Sequence, residues 1–141
     1  MSTDHFYRNL GHCFYLLAYS NTHKMFNLAC YINVEIYPAS CYGQLHVYVD
    51  EENIPVGFVT WAKVNEITKQ ALINDNRSLY DEEWNCGEYL FFNDFVAPWG
   101  GVKIISSDLK SNLFPNEREA FSIRRDKQGN TKKINHWKIK R

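Results

Sequence analysis

The sequence predicts a mixed α/β domain of the α+β kind, a mixed sheet flanked by helices. Three observations carry this. Leu45, Val47 and Val49 alternate with His46, Tyr48 and Asp50, a half-buried strand. Glu88–Ala97 is apolar on both faces, the mark of a strand central in its sheet. Between and after these strands, apolar residues recur at helical spacing. The 141 residues suit one domain, and a chain of this size can bury a core without covalent staples.

Residues 9–19 are mostly apolar without alternation and predict a buried helix, closed by the polar loop Ser20-Asn21-Thr22-His23-Lys24. Residues 25–37 are apolar and fit helix or strand equally. Leu45–Asp50, the turn Asp50-Glu51-Glu52-Asn53 and Val56–Ala62 form a hairpin. Residues 65–80 suit an amphipathic helix with Ile67, Ala71 and Leu79 inward. In the strand Glu88–Ala97, alternation places Leu90, Phe92, Asp94 and Val96 on one face and Tyr89, Phe91 and Phe95 on the other. Pro98-Trp99-Gly100-Gly101 stops it. A helix over about 102–113 carries Ile105, Leu109 and Leu113 at i, i+4 and i+8, and Pro115 ends it. Glu119–Arg125 is the last expected strand, with Phe121 and Ile123. This is the element order of the GCN5-related N-acetyltransferase fold.

Hydrophobic residues make up 45% of the chain and charged residues 23%, which excludes disorder throughout. Sixteen basic and sixteen acidic residues balance, so the chain is no polycation for nucleic acid. The charge is unevenly placed. Residues 124–141 hold eight Lys/Arg against Asp126, a local +7, and residues 1–123 carry −7. The expected division is a domain over 1–126 and a basic C-terminal tail over 127–141, with the tail a solvated end. Cys13, Cys30, Cys41 and Cys86 have no metal-type spacing and are expected as reduced core thiols. No signal peptide begins the chain and no run approaches the ~20 apolar residues of a membrane span, so a cytoplasmic protein is expected.

Asp94 is the most informative position, a carboxylate in an apolar row. Burying it unpaired costs several kcal/mol, so it needs a partner. Backbone donors of the Pro98–Gly101 turn are one candidate; a histidine is another. His46 is expected to be solvated, His5 and His136 to lie in flexible ends, and His12 to be a packing residue of the first helix. His23 sits in the loop after that helix, where functional side chains are often displayed. Phe58, Trp61, Phe91, Phe92, Phe95 and Trp99 would suit either core packing or an apolar channel.

Four blocks carry a resemblance. Gly11-His12 through Ala18-Tyr19-Ser20-Asn21-Thr22-His23-Lys24 is similar to the N-terminal motif of the RTX-toxin-activating lysine acyltransferases. Pro55-Val56-Gly57-Phe58-Val59-Thr60-Trp61-Ala62 resembles their hairpin strand. Glu83-Trp84-Asn85-Cys86-Gly87, with Phe92-Asn93-Asp94-Phe95-Val96-Ala97-Pro98-Trp99-Gly100, resembles their most specific block, and Lys110 to Asp126 continues the similarity. Asn21 and Lys24 depart from proline and arginine common in relatives, and the chain stops at Arg141, short of their longer C-terminal region.

The resemblance implies a cytoplasmic, homodimeric enzyme that transfers a fatty acyl group from acyl carrier protein to internal lysines of an RTX protoxin. His23 and Asp94 fall on the catalytic positions and Ser20 on a supporting one. No metal or cofactor is implied, with acyl-acyl carrier protein as co-substrate. The Ala97–Val102 connection has glycines but no basic residue and no G-x-G spacing, which favours a carrier protein over coenzyme A. The basic segment is expected to steer the acidic carrier. The alternative is a non-catalytic relative that escorts protoxin or carrier protein; a nucleic-acid role for the tail lacks a motif.

Overall fold

The computed structural model describes residues 2–126, 128 and 130–140. Lys127 and Arg141 of the basic segment lie outside the described residues. Helix α1 spans Thr3–Tyr19 and starts where the Ser2 side chain accepts the His5 N–H, a cap that sequence periodicity alone placed too late. It is amphipathic rather than buried throughout. Cys13, Leu16 and Leu17 form its inner stripe, while Tyr7, Phe14, Tyr15 and Tyr19 are exposed.

The ambiguous stretch after the loop is helical. Asn27 caps α2 (Leu28–Tyr31) by accepting the Cys30 N–H; a π-helical turn over Ile32–Ile36 follows, then α3 (Tyr37–Cys41). Pro38 has no N–H to carry an α ladder through this point, and the extra-residue turn accommodates it.

Strands β1 (Leu45–Val49) and β2 (Pro55–Val64) form the expected hairpin, its turn closed by Asp50 Oδ1 accepting from the N–H groups of Glu52 and Ile54. Helix α4 covers Glu66–Asn74 and turns a different face inward from the one expected: Thr68 and Leu72 are buried, whereas Ile67 is 82% exposed. Leu79 is buried, but in the connection beyond the helix. Gly87 lies so close to β2 that a Cβ there would meet the Val64 carbonyl carbon at 2.3 Å, which bars any side chain.

Strand β3 (Tyr89–Val96) is central, antiparallel to β2 and parallel to β4 (Glu119–Arg125). The crossover is α5 (Val102–Asp108), which runs into a π-helical turn over Leu109–Leu113 and buries Ile105 and Leu109 as expected. Residues beyond 126 correct the sequence reading. Thr131–Lys138 forms a fifth strand, β5, antiparallel to β4, so Glu119–Arg125 is not the last strand and this segment is not a frayed end. Its anchor is Trp137, which packs on Phe92 with centroids 4.9 Å apart and donates its indole N–H to Ser122 Oγ. A single tryptophan among lysines left no alternation to read. The sheet order is β1-β2-β3-β4-β5.

Apolar side chains fill both faces of the sheet. On one, Phe58 and Val96 meet Cys13, Leu16, Leu17 and Ile36, while Ala62, Val64, Phe91 and Phe121 meet Leu72 and Trp84. On the other, Val59, Leu90, Phe92 and Ala120 meet Ile105 and Leu109. Phe58, Phe91 and Phe92 are thus close-packed core, whereas Trp61 and Phe95 are half-buried and Trp99 is exposed. Among the described residues, no helix is long and apolar enough to cross a membrane.

Leu16 is fully buried in α1, so Leu16→Ala should cost about 2–5 kcal/mol through lost burial and a residual cavity. Ile67→Ala, on the exposed side of α4, should change stability by less than about 0.5 kcal/mol. Urea unfolding of the two variants checks both values. Equal losses would mean that the faces have been assigned wrongly.

Candidate active site

The site forms where the end of α1 meets the middle of β3. Helix α1 stops at Ser20, whose carbonyl accepts from the backbone N–H groups of His23 and Lys24 at 3.1 and 2.8 Å. This tight turn folds the side chains of Ser20 and His23 back on one another, with Ser20 Oγ 2.6 Å from His23 Nδ1. The other ring nitrogen, Nε2, lies 3.8 Å from Asp94 Oδ1. Phe26 and Tyr31 stand edge-on to the His23 ring at 5.5 and 5.2 Å. All three residues singled out in the sequence are therefore contiguous.

Asp94 reaches this place by an irregularity in β3. Thr60 of β2 pairs with Asp94, but the next residue, Trp61, pairs with Phe92. Asn93 is the extra residue of a β-bulge. A side-chain period of two is reversed by one added residue. Leu90 and Phe92 face α5, whereas Asp94 and Val96 face α1, so the expected shared row of Leu90, Phe92, Asp94 and Val96 is broken at Asn93. Two adjacent polar residues inside Phe91-Phe92-Asn93-Asp94-Phe95 were the signal for it.

The carboxyl group of Asp94 is almost wholly buried, at 6% exposure. Tyr31 Oη donates to Oδ1, the Asp94 N–H donates to Thr60 Oγ1 at 3.1 Å, and Oδ2 has no hydrogen-bond partner among the described residues. The Pro98–Gly101 turn, the other candidate partner, does not hold it. Beside it, Asn93 Nδ2 donates to Glu35 Oε2 at 2.7 Å, and Glu35 is itself buried in the π-helical turn. Burial and the neighbouring Glu35 push the Asp94 carboxyl up to about 8, against the pull of the Tyr31 hydroxyl. Burial lowers His23 below its ordinary value, so its neutral, proton-accepting form persists to lower pH. Burial and Asp94 raise Tyr31, which therefore stays a hydroxyl donor.

The remaining histidines are elsewhere. His5 is exposed, and His12 is half-buried on α1. His46 is half-buried with its ring against Tyr48 at 4.7 Å, not solvated as expected; His136 is exposed, but on β5 rather than in a flexible end. The four cysteines are unpaired, with Cys13 buried but Cys30 and Cys41 exposed, so these two are not core thiols. Tyr31, Glu35, Asn93 and Thr60 escaped the sequence reading. Tyr31 lies 63 residues from Asp94 in the stretch whose secondary structure was ambiguous, and nothing local pairs them.

Residues 3–138 match the model of the HlyC family, the RTX toxin acyltransferases. The chain belongs to the RTX toxin acyltransferase family. Among its relatives are an uncharacterised protein of Synechocystis sp., 34% identical over 85% of this chain and 81% of that one. The RTX-III toxin-activating lysine-acyltransferase ApxIIC of Actinobacillus pleuropneumoniae is 32% identical over 82% of this chain and 64% of its own length. The protein-lysine myristoyltransferase HlyC of Escherichia coli is 27% identical over 91% of this chain and 71% of its own length. The chain thus spans roughly two thirds of these named acyltransferases. In this member of the RTX toxin acyltransferase family, the matched segment contains Ser20, His23, Tyr31 and Asp94 together.

The raised Asp94 carboxyl gives a stability signature. A group whose folded-state pKa lies above its ordinary 3.8 stabilises the fold fully below that value and loses the contribution as pH rises through about 8. Urea midpoints between pH 4 and 9 should decline more steeply in the native protein than in Asp94→Asn, which cannot ionise. Parallel curves would show that Asp94 does not resist ionisation.

Proposed function

We propose that this chain is a protein-lysine fatty acyltransferase that activates an RTX protoxin, taking its acyl group from acyl carrier protein. The observation that carries the reading is the placement of His23 between Ser20 Oγ and Asp94 Oδ1 in a chain of this family. The activities for which ApxIIC and HlyC are named, toxin-activating lysine acylation and protein-lysine myristoylation, support it.

The chemistry follows from the residue types. A lysine amine with an ordinary pKa near 10.4 is protonated at neutral pH, so a base is needed to free its lone pair. His23, kept neutral by burial, is suited to that role. In our reading the amine nitrogen attacks the thioester carbonyl carbon, the C–N bond forms, and the C–S bond of the carrier's phosphopantetheine breaks. The ammonium first gives one proton through the Ser20 hydroxyl to His23 Nδ1 and on to solvent, and as the amide forms the nitrogen's second proton follows the same route to His23. Asp94 stabilises the imidazolium from the Nε2 side, and the proton then leaves with the departing thiolate. A thioester is activated enough that this path calls on no metal and no cofactor beyond the acylated carrier. A cytoplasmic homodimer is part of the same reading.

Exposed Arg124, Lys132, Lys133, Lys138 and Lys140 line β4, β5 and the residues after them, a positive surface for an acidic carrier, while residues 1–123 carry −7. Replacing Lys132 and Lys133 by Gln should raise KM for the acylated carrier and flatten its salt dependence, with kcat unchanged. Steady-state kinetics at two ionic strengths checks this.

The decisive experiment is co-expression with an RTX protoxin followed by intact-mass analysis. The native chain should add fatty acyl mass to the protoxin, with C14–C18 donors outcompeting acetyl. His23→Ala should abolish the addition while the protein stays folded, and Ser20→Ala should slow it. Full acylation by folded His23→Ala would overturn the reading, and no acylation by the native chain would favour an escort.

A further inference from the structure

One side chain touches both members of the proposed catalytic pair. The Tyr31 hydroxyl donates to Asp94 Oδ1, the same oxygen that lies 3.8 Å from His23 Nε2. The Tyr31 ring stands against His23 at 5.2 Å and 74°, and against Phe26 at 5.8 Å. Four residues later, buried Glu35 accepts from Asn93 Nδ2, and Asn93 is the bulge residue that turns Asp94 toward α1. A phenol and an acid from one helical stretch thus grip two consecutive residues of β3.

Their effects on Asp94 are opposite. A hydroxyl donor favours the carboxylate, because it bonds more strongly to a charged oxygen than to a neutral one. A buried second carboxylate favours the protonated acid by like-charge repulsion. The groups facing Asp94 are Cys13 from α1, His23 from the loop, Tyr31 from α2 and Glu35 from the π-helical turn, with Thr60 of β2 on its backbone N–H. Of these side chains, Tyr31 is the one that donates to the carboxyl group.

We propose that Tyr31 is a positioning residue of this site, its hydroxyl holding Asp94 Oδ1 toward His23, and that Glu35 opposes it in deciding whether Asp94 carries a proton. The inference rests on the reading of His23 and Asp94 as the working pair. Its consequence is that the carboxylate needed to stabilise the His23 imidazolium, a minority form near neutral pH when the group titrates at about 8, is as populated as it is because Tyr31 is there. Without that donor, burial acting with Glu35 would shrink the ionised share further, and a neutral acid offers an imidazolium far less stabilisation.

The test is a carboxyl-carbon NMR titration of Asp94 in the native protein, Tyr31→Phe, Glu35→Gln and the double variant, without substrates. Tyr31→Phe keeps the ring on His23 and removes only the donor, and should raise the Asp94 midpoint by about one pH unit, the size of one hydrogen bond to a charged group. Glu35→Gln should lower it, and the double variant should fall between the two. In acylation assays Tyr31→Phe should lower kcat about tenfold at pH 7 with KM unchanged, regain activity at higher pH, and be rescued at pH 7 by adding Glu35→Gln.

An unmoved Asp94 midpoint in folded Tyr31→Phe overturns the inference whatever the activity. If that variant does not fold, Glu35→Gln decides: an unmoved midpoint there overturns it too. If the midpoints move as expected but His23→Ala still acylates, the tuning of Asp94 stands and the functional reading fails.

Discussion

The burial of one carboxyl group beneath α1 is the constraint around which this protein is arranged. A carboxylate removed from water must find donors or give up its charge. Asp94 does some of each, taking one hydrogen bond from Tyr31 while resisting ionisation. Three different elements are committed to it. The turn after α1 delivers His23, the capped α2 delivers Tyr31, and β2 supplies the Thr60 hydroxyl that holds the bulged backbone. Shifting any of them would leave a buried polar atom without its partner, which is why the irregular features of the fold gather here.

Those irregularities have a common geometric purpose. A regular β3 would have pointed Asp94 at α5, into the cluster of Leu90, Phe92 and Ile105. The single extra residue at Asn93 rotates the rest of the strand by one side-chain position, so that Asp94 and Val96 face α1. The π-helical turn at Ile32–Ile36 likewise adds a residue to its helix and brings Glu35 onto Asn93. Bulges in strands and π turns in helices both reposition side chains without new loops, and both recur at functional sites.

Much was legible without coordinates. The hairpin, the central strand and the helix carrying Ile105 and Leu109 followed from periodicity, because a half-buried strand and an amphipathic helix must repeat as the pleat and the helical turn do. Helix α4 was located but misfaced, since Ile67 and Leu72 are both apolar and only the packing of α4 against the sheet distinguishes them. Strand β5 was missed because an edge strand is covered on few sides and tolerates lysines at most positions, so it shows little apolar alternation.

For the site, the residue types at His23, Asp94 and Ser20 sufficed to identify candidates, and the tight turn Ser20–Lys24 makes the Ser20–His23 contact a local matter of three residues. The sequence by itself therefore determined the chemistry on offer, the period of most elements and the family. Tertiary structure alone decided that His23 meets Asp94 across 71 positions, that Tyr31 holds the same carboxyl oxygen, and that Glu35 stands behind both. Periodicity describes neighbours along one element, whereas the protonation of a buried acid depends on every group packed around it, and those groups come together only when the helices close over the sheet.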